Sequence, residues 1–300
     1  MAAPIARIVD AHHHLWDLSA IYYPWLTDRV GPRMYGDYTP IRRDYLVEDY
    51  RRDIGPLPVV KSVHVQAECE RAASIGETRW LQAQAARTGL PSAIVAYADL
   101  AADRAALAAQ LDEHGANTAL RGIRQMVHEV LVAQMRHPVD YLADARWQRN
   151  LGLLAERSLH FELQILPPQA EAAARVIARY PSLTFILVHS GQPRDRSLEG
   201  LERWRGAIRR LAALPNVAIK LSGFGMFDPQ WTAGSIAPLV HHAITCFGAP
   251  RVMFGSNFPV DGLMRDFAGI WRAYDEITQG YDDVERAAMF YDNACRIYRI

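Results

Sequence analysis

Three consecutive histidines close the first apolar run of the chain, in the segment DAHHHLW. Side chains alternate along a strand, so His12 and His14 share one face and His13 points away. Two imidazoles on one face can converge on a metal ion or a substrate. His189 supplies a third: it ends the apolar run LTFILV and opens the turn HSGQP. Three convergent imidazoles form a common zinc set that leaves positions open for water and substrate. The same pattern, a polar residue directly after an apolar run, recurs along the chain. It places Gln66 and Glu68 in VHVQAE, Arg124 and Gln125 in GIRQM, and Gln164 in FELQI. Lys220 and Ser222 follow in IKLSG, and Asn257 and Asp261 in MFGSNFPVD, while Trp16 stands just beyond the histidine pair. Any one of these could be a rim residue held in an ion pair. Together they point to a shared polar cavity, because each must be hydrogen-bonded or solvated where it stands.

Bringing such residues together requires elements that all end in one place. Short β-rich runs span residues 7–12, 59–66, 93–99, 120–126, 159–165, 183–189, 217–221 and 251–256, and most are apolar enough to be buried on both faces. Helix-like stretches lie between them at 78–88, 104–114, 170–179 and 201–213. Strands alternating with helices imply parallel βαβ units, and eight of them predict a closed (β/α)8 TIM-type barrel, with an open doubly wound sheet as the alternative. In a barrel the C-terminal strand ends carry the chemistry, which is where His12, His14 and His189 fall. No linker or low-complexity segment divides the chain, so one domain over residues 1–300 is expected. The segment 15–58 exceeds what a minimal barrel needs and carries Trp16, Tyr22, Tyr23, Trp25, Tyr35 and Tyr38 ahead of a helical stretch at 44–52. It is either a wall over the barrel mouth or satellite packing. Residues 263–278 and 283–298 are expected as C-terminal helices on the barrel flank. His64, His128 and His160, in or beside strands, are assigned structural roles.

Composition narrows the partners. Half of the 300 residues are apolar, enough for one large core. Lys plus Arg and Asp plus Glu balance at 33 each, so no net field attracts nucleic acid or an anionic membrane. A small-molecule substrate fits this surface, and a homo-oligomer is compatible with it. Cys69, Cys246 and Cys295 are too far apart for a CxxC site. The N-terminal MAAPIARIVD has neither the basic nor the apolar region of a signal peptide, and no apolar run approaches membrane-span length. A soluble, cytoplasmic protein is the expectation.

In their order, DAHHHLWD, VHVQAE, ETRWLQ, GIRQM, FELQ, HSGQP, KLSGFG and FGSNFPVD resemble the amidohydrolase superfamily nearly end to end. The similarity is to its amidohydrolase-related branch, which includes 2-pyrone-4,6-dicarboxylate lactonase and sugar-acid lactonases. The resemblance implies a hydrolase, with His12 and His14 as the first-strand pair, His189 as the strand-six histidine and Arg124 as a contact for a substrate carboxylate or carbonyl. It also implies one divalent ion, zinc first, on His12, His14 and His189, with metal-free catalysis as the alternative. Two positions depart from the pattern. The fourth strand offers Arg124 where many members carry a lysine that bridges two metals, so a two-metal site is not expected. The last strand reads GSN where the family has GSD, and an asparagine at 257 cannot serve as general base near neutral pH. Asp261, His189 or His14 would then take that part. The reaction expected is opening of a sugar-acid or carboxylated lactone by water, aided by Arg124 or Lys220. Gln66, Glu68, Gln164, Ser222 and Trp16 would line the substrate. The alternatives are a metal-dependent decarboxylase or amide hydrolase of the same branch, or a member that binds ligand without chemistry.

Overall fold

The computed structural model describes residues 4–28, 31, 35–128 and 140–300. Eight parallel strands run in sequence order: β1 (Ile8–His13), β2 (Val59–Val65), β3 (Ala93–Ala96), β4 (Leu120–Arg124), β5 (His160–Leu163), β6 (Phe185–Leu187), β7 (Val217–Leu221) and β8 (Val252–Phe254). Helices alternate with them, giving the (β/α)8 barrel expected from the pattern. Several begin on side-chain caps: Asp103 accepts from the Ala105 amide, Asp144 from Trp147, Ser197 from Gly200 and Asp266 from Gly269.

The strands are shorter than their apolar runs. β3 stops at Ala96, β6 covers only Phe185–Leu187 and β8 only Val252–Phe254, because the hydrogen-bonded ladder ends before the apolar run does. The core has two layers. Val9, Ala11, Val63, Val65, Ala93, Val95, Ile186, Ala218 and Met253 fill the barrel, and the remaining buried apolar residues form the larger layer outside the strands.

One expectation about the extra segments is revised, and of the two alternatives for the loop after β1 the packing favours one. The last helix, Asn293–Tyr298, does not lie on the flank: Ala294 and Tyr298 join the barrel's inner cluster, and Arg121 Nε donates to the Tyr298 carbonyl at 2.7 Å. The tail therefore closes the N-terminal end of the barrel, where a short apolar helix can cover the bottom of the inner layer. The loop after β1 is chiefly packing. Trp16, Tyr23, Tyr38 and Tyr45 are buried, Trp16 and Trp25 rings meet at 5.5 Å, and Trp25 Nε1 donates to the Ala67 carbonyl at 2.8 Å. The helix expected at 44–52 forms at Val47–Ile54.

The entry of β1 into the site is irregular. Between the pairs Asp10–Ser62 and His13–His64, β1 takes three steps while β2 takes two, so β1 carries a bulge. Val9 and Ala11 face the barrel interior, and strict alternation from them would send His13 inward. The extra residue reverses the phase and turns His12 and His14 in.

Candidate active site

The histidine rings converge as their spacing suggests. His12 lies 5.2 Å from His14 and 4.5 Å from His189, centroid to centroid, and all three are buried. His13 points outward, stacked on Tyr50 at 4.2 Å with its Nε2 at 2.9 Å from Ser62 Oγ. His14 Nδ1 is 2.7 Å from the Val65 carbonyl, which can only accept, so Nδ1 carries the proton and Nε2 the lone pair. Neither ring nitrogen of His12 has a hydrogen-bond partner in the structure. Burial holds all three rings well below the ordinary histidine pKa, followed by the charge of Arg124 for His14 and His189 and by the closeness of His189 for His12. They are neutral imidazoles near pH 7.

His189 is aimed by a rare backbone. His189, Ser190, Gly191 and Gln192 have φ of 52°, 56°, 67° and 53°, a turn in left-handed territory that non-glycine residues enter at a cost of about 1–2 kcal/mol each. Gly223 (φ 74°) lets the β7 loop press on the ring, because a Cβ there would stand 2.7 Å from His189 Nδ1. Ser222 Oγ meets the same Nδ1 at 3.2 Å, and Ser190 Oγ donates to the Ser222 carbonyl at 3.2 Å. Glu68 and Asn257 also hold positive φ, at 57° and 56°, so the strained positions gather at this end of the barrel.

Arg124 is the charged centre of the other half. It is 2 % exposed; its Nη2 donates to the Gln66 carbonyl at 2.5 Å and its Nη1 to Gln164 Oε1 at 3.4 Å. Its Nε has no partner, and among the described residues no carboxylate is within ion-pair distance of it. Gln66 Nε2 is turned to Glu68 Oε1 at 2.5 Å. The charges of Glu68, Glu162 and Glu77 act on the guanidinium from beyond contact distance, and its hydrogen bonds go only to neutral oxygens, an arrangement that favours an anion or a polarised carbonyl beside it.

Asn257 and Asp261 form a short chain behind the histidines. The Asn257 side chain is hydrogen-bonded to the His14 ring, and its Nδ2 donates to Asp261 Oδ1 at 2.9 Å. Burial raises the Asp261 carboxyl to about 7, against the lowering effect of its bonds to Asn257 and to the Gly225 and Gly223 amides. Asp261 thus stands behind the amide. Lys220 is also set back. It is fully buried in an ion pair with Glu162 Oε1 at 2.5 Å, an oxygen that also accepts from Tyr298 Oη at 2.6 Å. Its charge reaches His12 and His189 from below. Burial lowers the Lys220 pKa to about 8, against the raising effect of Glu162. Trp16 packs nearly parallel to His14 at 6.5 Å, with Nε1 donating to the Arg43 carbonyl at 2.6 Å.

The sequence reading missed residues that the fold brings in. Gln192 and Arg194 follow His189 and flank His128, whose pKa falls to about 4 by burial and then the charge of Arg194. Glu162 escaped notice because only the third dimension pairs it with Lys220. Asp10 and Ser256, two residues before His12 and one before Asn257, were visible in DAHHH and GSN but carry no motif of their own. Among the described residues, no group of three or more His, Cys, Asp or Glu side chains is gathered so as to hold a metal ion. His14 and His189 are engaged at Nδ1, by Val65 and Ser222, which leaves their Nε2 atoms for another partner, whereas Asp261 is tied to Asn257. His12, His14 and the Nε2 edge of His189 are the groups that would hold a divalent ion, which would supply a Lewis acid for a carbonyl oxygen or water; the chain's own groups there are neutral imidazoles beside a buried guanidinium.

Comparison with known proteins agrees with this architecture. A family model described as Amidohydrolase matches residues 9–300. The uncharacterised protein y4mH of Sinorhizobium fredii is 40% identical over 295 residues, covering 98% of each chain. L-fucono-1,5-lactonase of Burkholderia multivorans is 29% identical over 304 residues, covering 97% of this chain and 96% of its own. A crystal structure of an amidohydrolase from Burkholderia multivorans with bound zinc superposes with a TM-score of 0.81 at 27% identity, covering 98% of this chain and 100% of that one.

Proposed function

The chain belongs to the amidohydrolase family, and from that premise we propose that it is a lactonase, opening a sugar-acid or carboxylated lactone by attack of water on the ring carbonyl. The observation that carries this reading is Arg124, a buried cation without a carboxylate partner among the described residues, beside neutral His14 and His189. A guanidinium in that position stabilises the negative charge that develops on the carbonyl oxygen. A neutral imidazole of the His12–His189 pair accepts the proton as water attacks. The acyl–oxygen bond of the ring then breaks, and the imidazolium returns the proton to the departing alkoxide. The product is a hydroxy acid, which releases one proton to solvent at neutral pH.

Asn257 orients the His14 edge of the site and Asp261 fixes the amide. Without a carboxylate at 257, protonation of a poor amine leaving group lacks its usual carrier, whereas a lactone alkoxide depends on it less. The relatives with lactonase names are similar to this chain over nearly its whole length, which supports the same reaction class.

The test is proton release, followed with a pH indicator, from five- and six-membered sugar-acid lactones and pyrone lactones. Turnover by the wild type that falls at least 100-fold in folded His189→Ala is expected. The same assay after chelation, with and without added zinc, reads the metal: activity unaffected by either agrees with side-chain catalysis, and activity restored by zinc would replace it with a metal-assisted route. No turnover of any lactone by folded protein would overturn the reading, and release of carbon dioxide from an aromatic acid would move it to decarboxylation.

A further inference from the structure

The seam between β8 and β1 is closed in an unusual way. All other neighbouring strands share a ladder of paired residues, whereas β8 meets β1 through the isolated bridge His13–Phe258 and two backbone bonds beyond the strand ends. Those bonds run from the Asn257 amide to the His12 carbonyl and from the His14 amide to the Phe258 carbonyl, both at 2.7 Å. Below them a side chain replaces the ladder. Asp10 Oδ1 accepts from the Ser256 amide at 2.8 Å and the His12 amide at 3.2 Å. Its Oδ2 accepts from Ser256 Oγ at 2.6 Å and from Tyr50 Oη at 2.8 Å. Ser256 Oγ in turn accepts from the Phe258 amide at 3.1 Å. The strands approach so closely here that a Cβ on Gly255 would lie 2.7 Å from His12 Cβ.

We infer that Asp10, acting through Ser256, is a positioning residue that sets His12 and Asn257 in register with each other across the barrel seam. A clamp that served closure alone would need no bond to either site residue. This one holds the His12 amide directly and grips the residue before Asn257, while the β1 bulge and the positive φ of Asn257 flank it. A carboxylate suits the task because it accepts four hydrogen bonds and donates none, whereas an amide would set an N–H against one of the donors. Misplacement by about 1 Å can cost roughly 100-fold in rate while leaving the fold intact.

The inference uses the lactonase reading only for its kinetic readout. Ser256→Ala and Asp10→Asn, each measured where it is fully folded, are expected to lower kcat by about 10- to 100-fold with KM within about threefold of wild type. Ser256→Thr, which keeps the hydroxyl, recovers most of the rate. An unchanged kcat in folded Ser256→Ala, a kcat that falls only in step with the folded fraction, or a threonine variant no better than alanine would overturn the positioning role. Crystal structures of wild type and Ser256→Ala give an answer independent of the reaction. A rotated His12 ring or an Asn257 released from positive φ supports the clamp, and an unmoved pair refutes it even if the protein opens no lactone.

Discussion

Arg124 and Lys220 are two buried cations with different partners. Lys220 is matched by Glu162, so removing it would strand a carboxylate whose second oxygen, Oε2, already lacks a partner. Arg124 is hydrogen-bonded only by carbonyl oxygens and feels Glu68, Glu162 and Glu77 from beyond contact distance, an arrangement that costs stability and makes sense if an anionic transition state completes it. Arg124→Met is therefore expected to lower kcat/KM by about 100- to 1000-fold while leaving the thermal midpoint equal to or above that of wild type. Kinetics and thermal unfolding on the same preparation check both halves, and a protein that loses stability along with activity contradicts the assignment. At this scale the sequence was informative about identity but not about posture. His12, His14, His189 and Arg124 were recognisable from their places after apolar runs. That Lys220 faces Glu162 depends on a contact between residues 58 apart in the chain, and that Asp261 stands behind Asn257 depends on how the turn between them folds.

Among the elements, the informative features are departures from regularity. The β1 bulge turns the histidine pair inward, although simple alternation within the pair had already placed His12 and His14 on one face. The left-handed turn at 189–192 and the positive φ of Glu68 and Asn257 hold strain where it serves the site. Ser158 offers a contrast. It is exposed, follows the helix Ala145–Glu156 at φ 56°, and its carbonyl accepts from Arg299 through the backbone alone. Ser158→Gly is expected to stabilise the protein by about 1 kcal/mol, raising the thermal midpoint by roughly 2 °C with unchanged kinetics. A lower midpoint would show that the serine side chain does something there. The strand runs were legible because buried parallel strands are continuously apolar. Their ends were not, since hydrogen-bond pairing stops earlier than apolarity does at β3, β6 and β8.

For the whole molecule, buried titratable groups set the response to pH. Burial lowers His64 and His160 to about 3 and His114 to about 4, and holds His12, His13, His14 and His189 well below 6.5. Below pH 6.5 the unfolded chain binds protons that these native rings refuse, so stability is lost as pH falls, by up to about 1.4 kcal/mol per pH unit for each ring. Asp10, raised to about 6, and Glu77 and Asp261, raised to about 7, act in the opposite sense. Burial is the main cause for each, and stability falls as pH rises from about 4 to those values. The histidines outnumber the acids, so the urea midpoint is expected to drop from pH 6.5 to pH 4.5. A midpoint that is flat or rises on acidification would contradict the burial of the histidine cluster.

The sequence by itself determined the barrel and most of the polar residues gathered at the C-terminal ends of its strands. Alternating apolar runs and helical patterns admit few packings, and side chains that follow a strand in a parallel barrel emerge on one rim. Tertiary structure alone decided which polar groups pair with one another, that the C-terminal helix plugs the barrel floor, and that Asp10 bridges its seam. Those outcomes depend on distances between segments from tens to hundreds of residues apart, where burial makes each hydrogen bond or charge pair decisive and no local pattern records the partner.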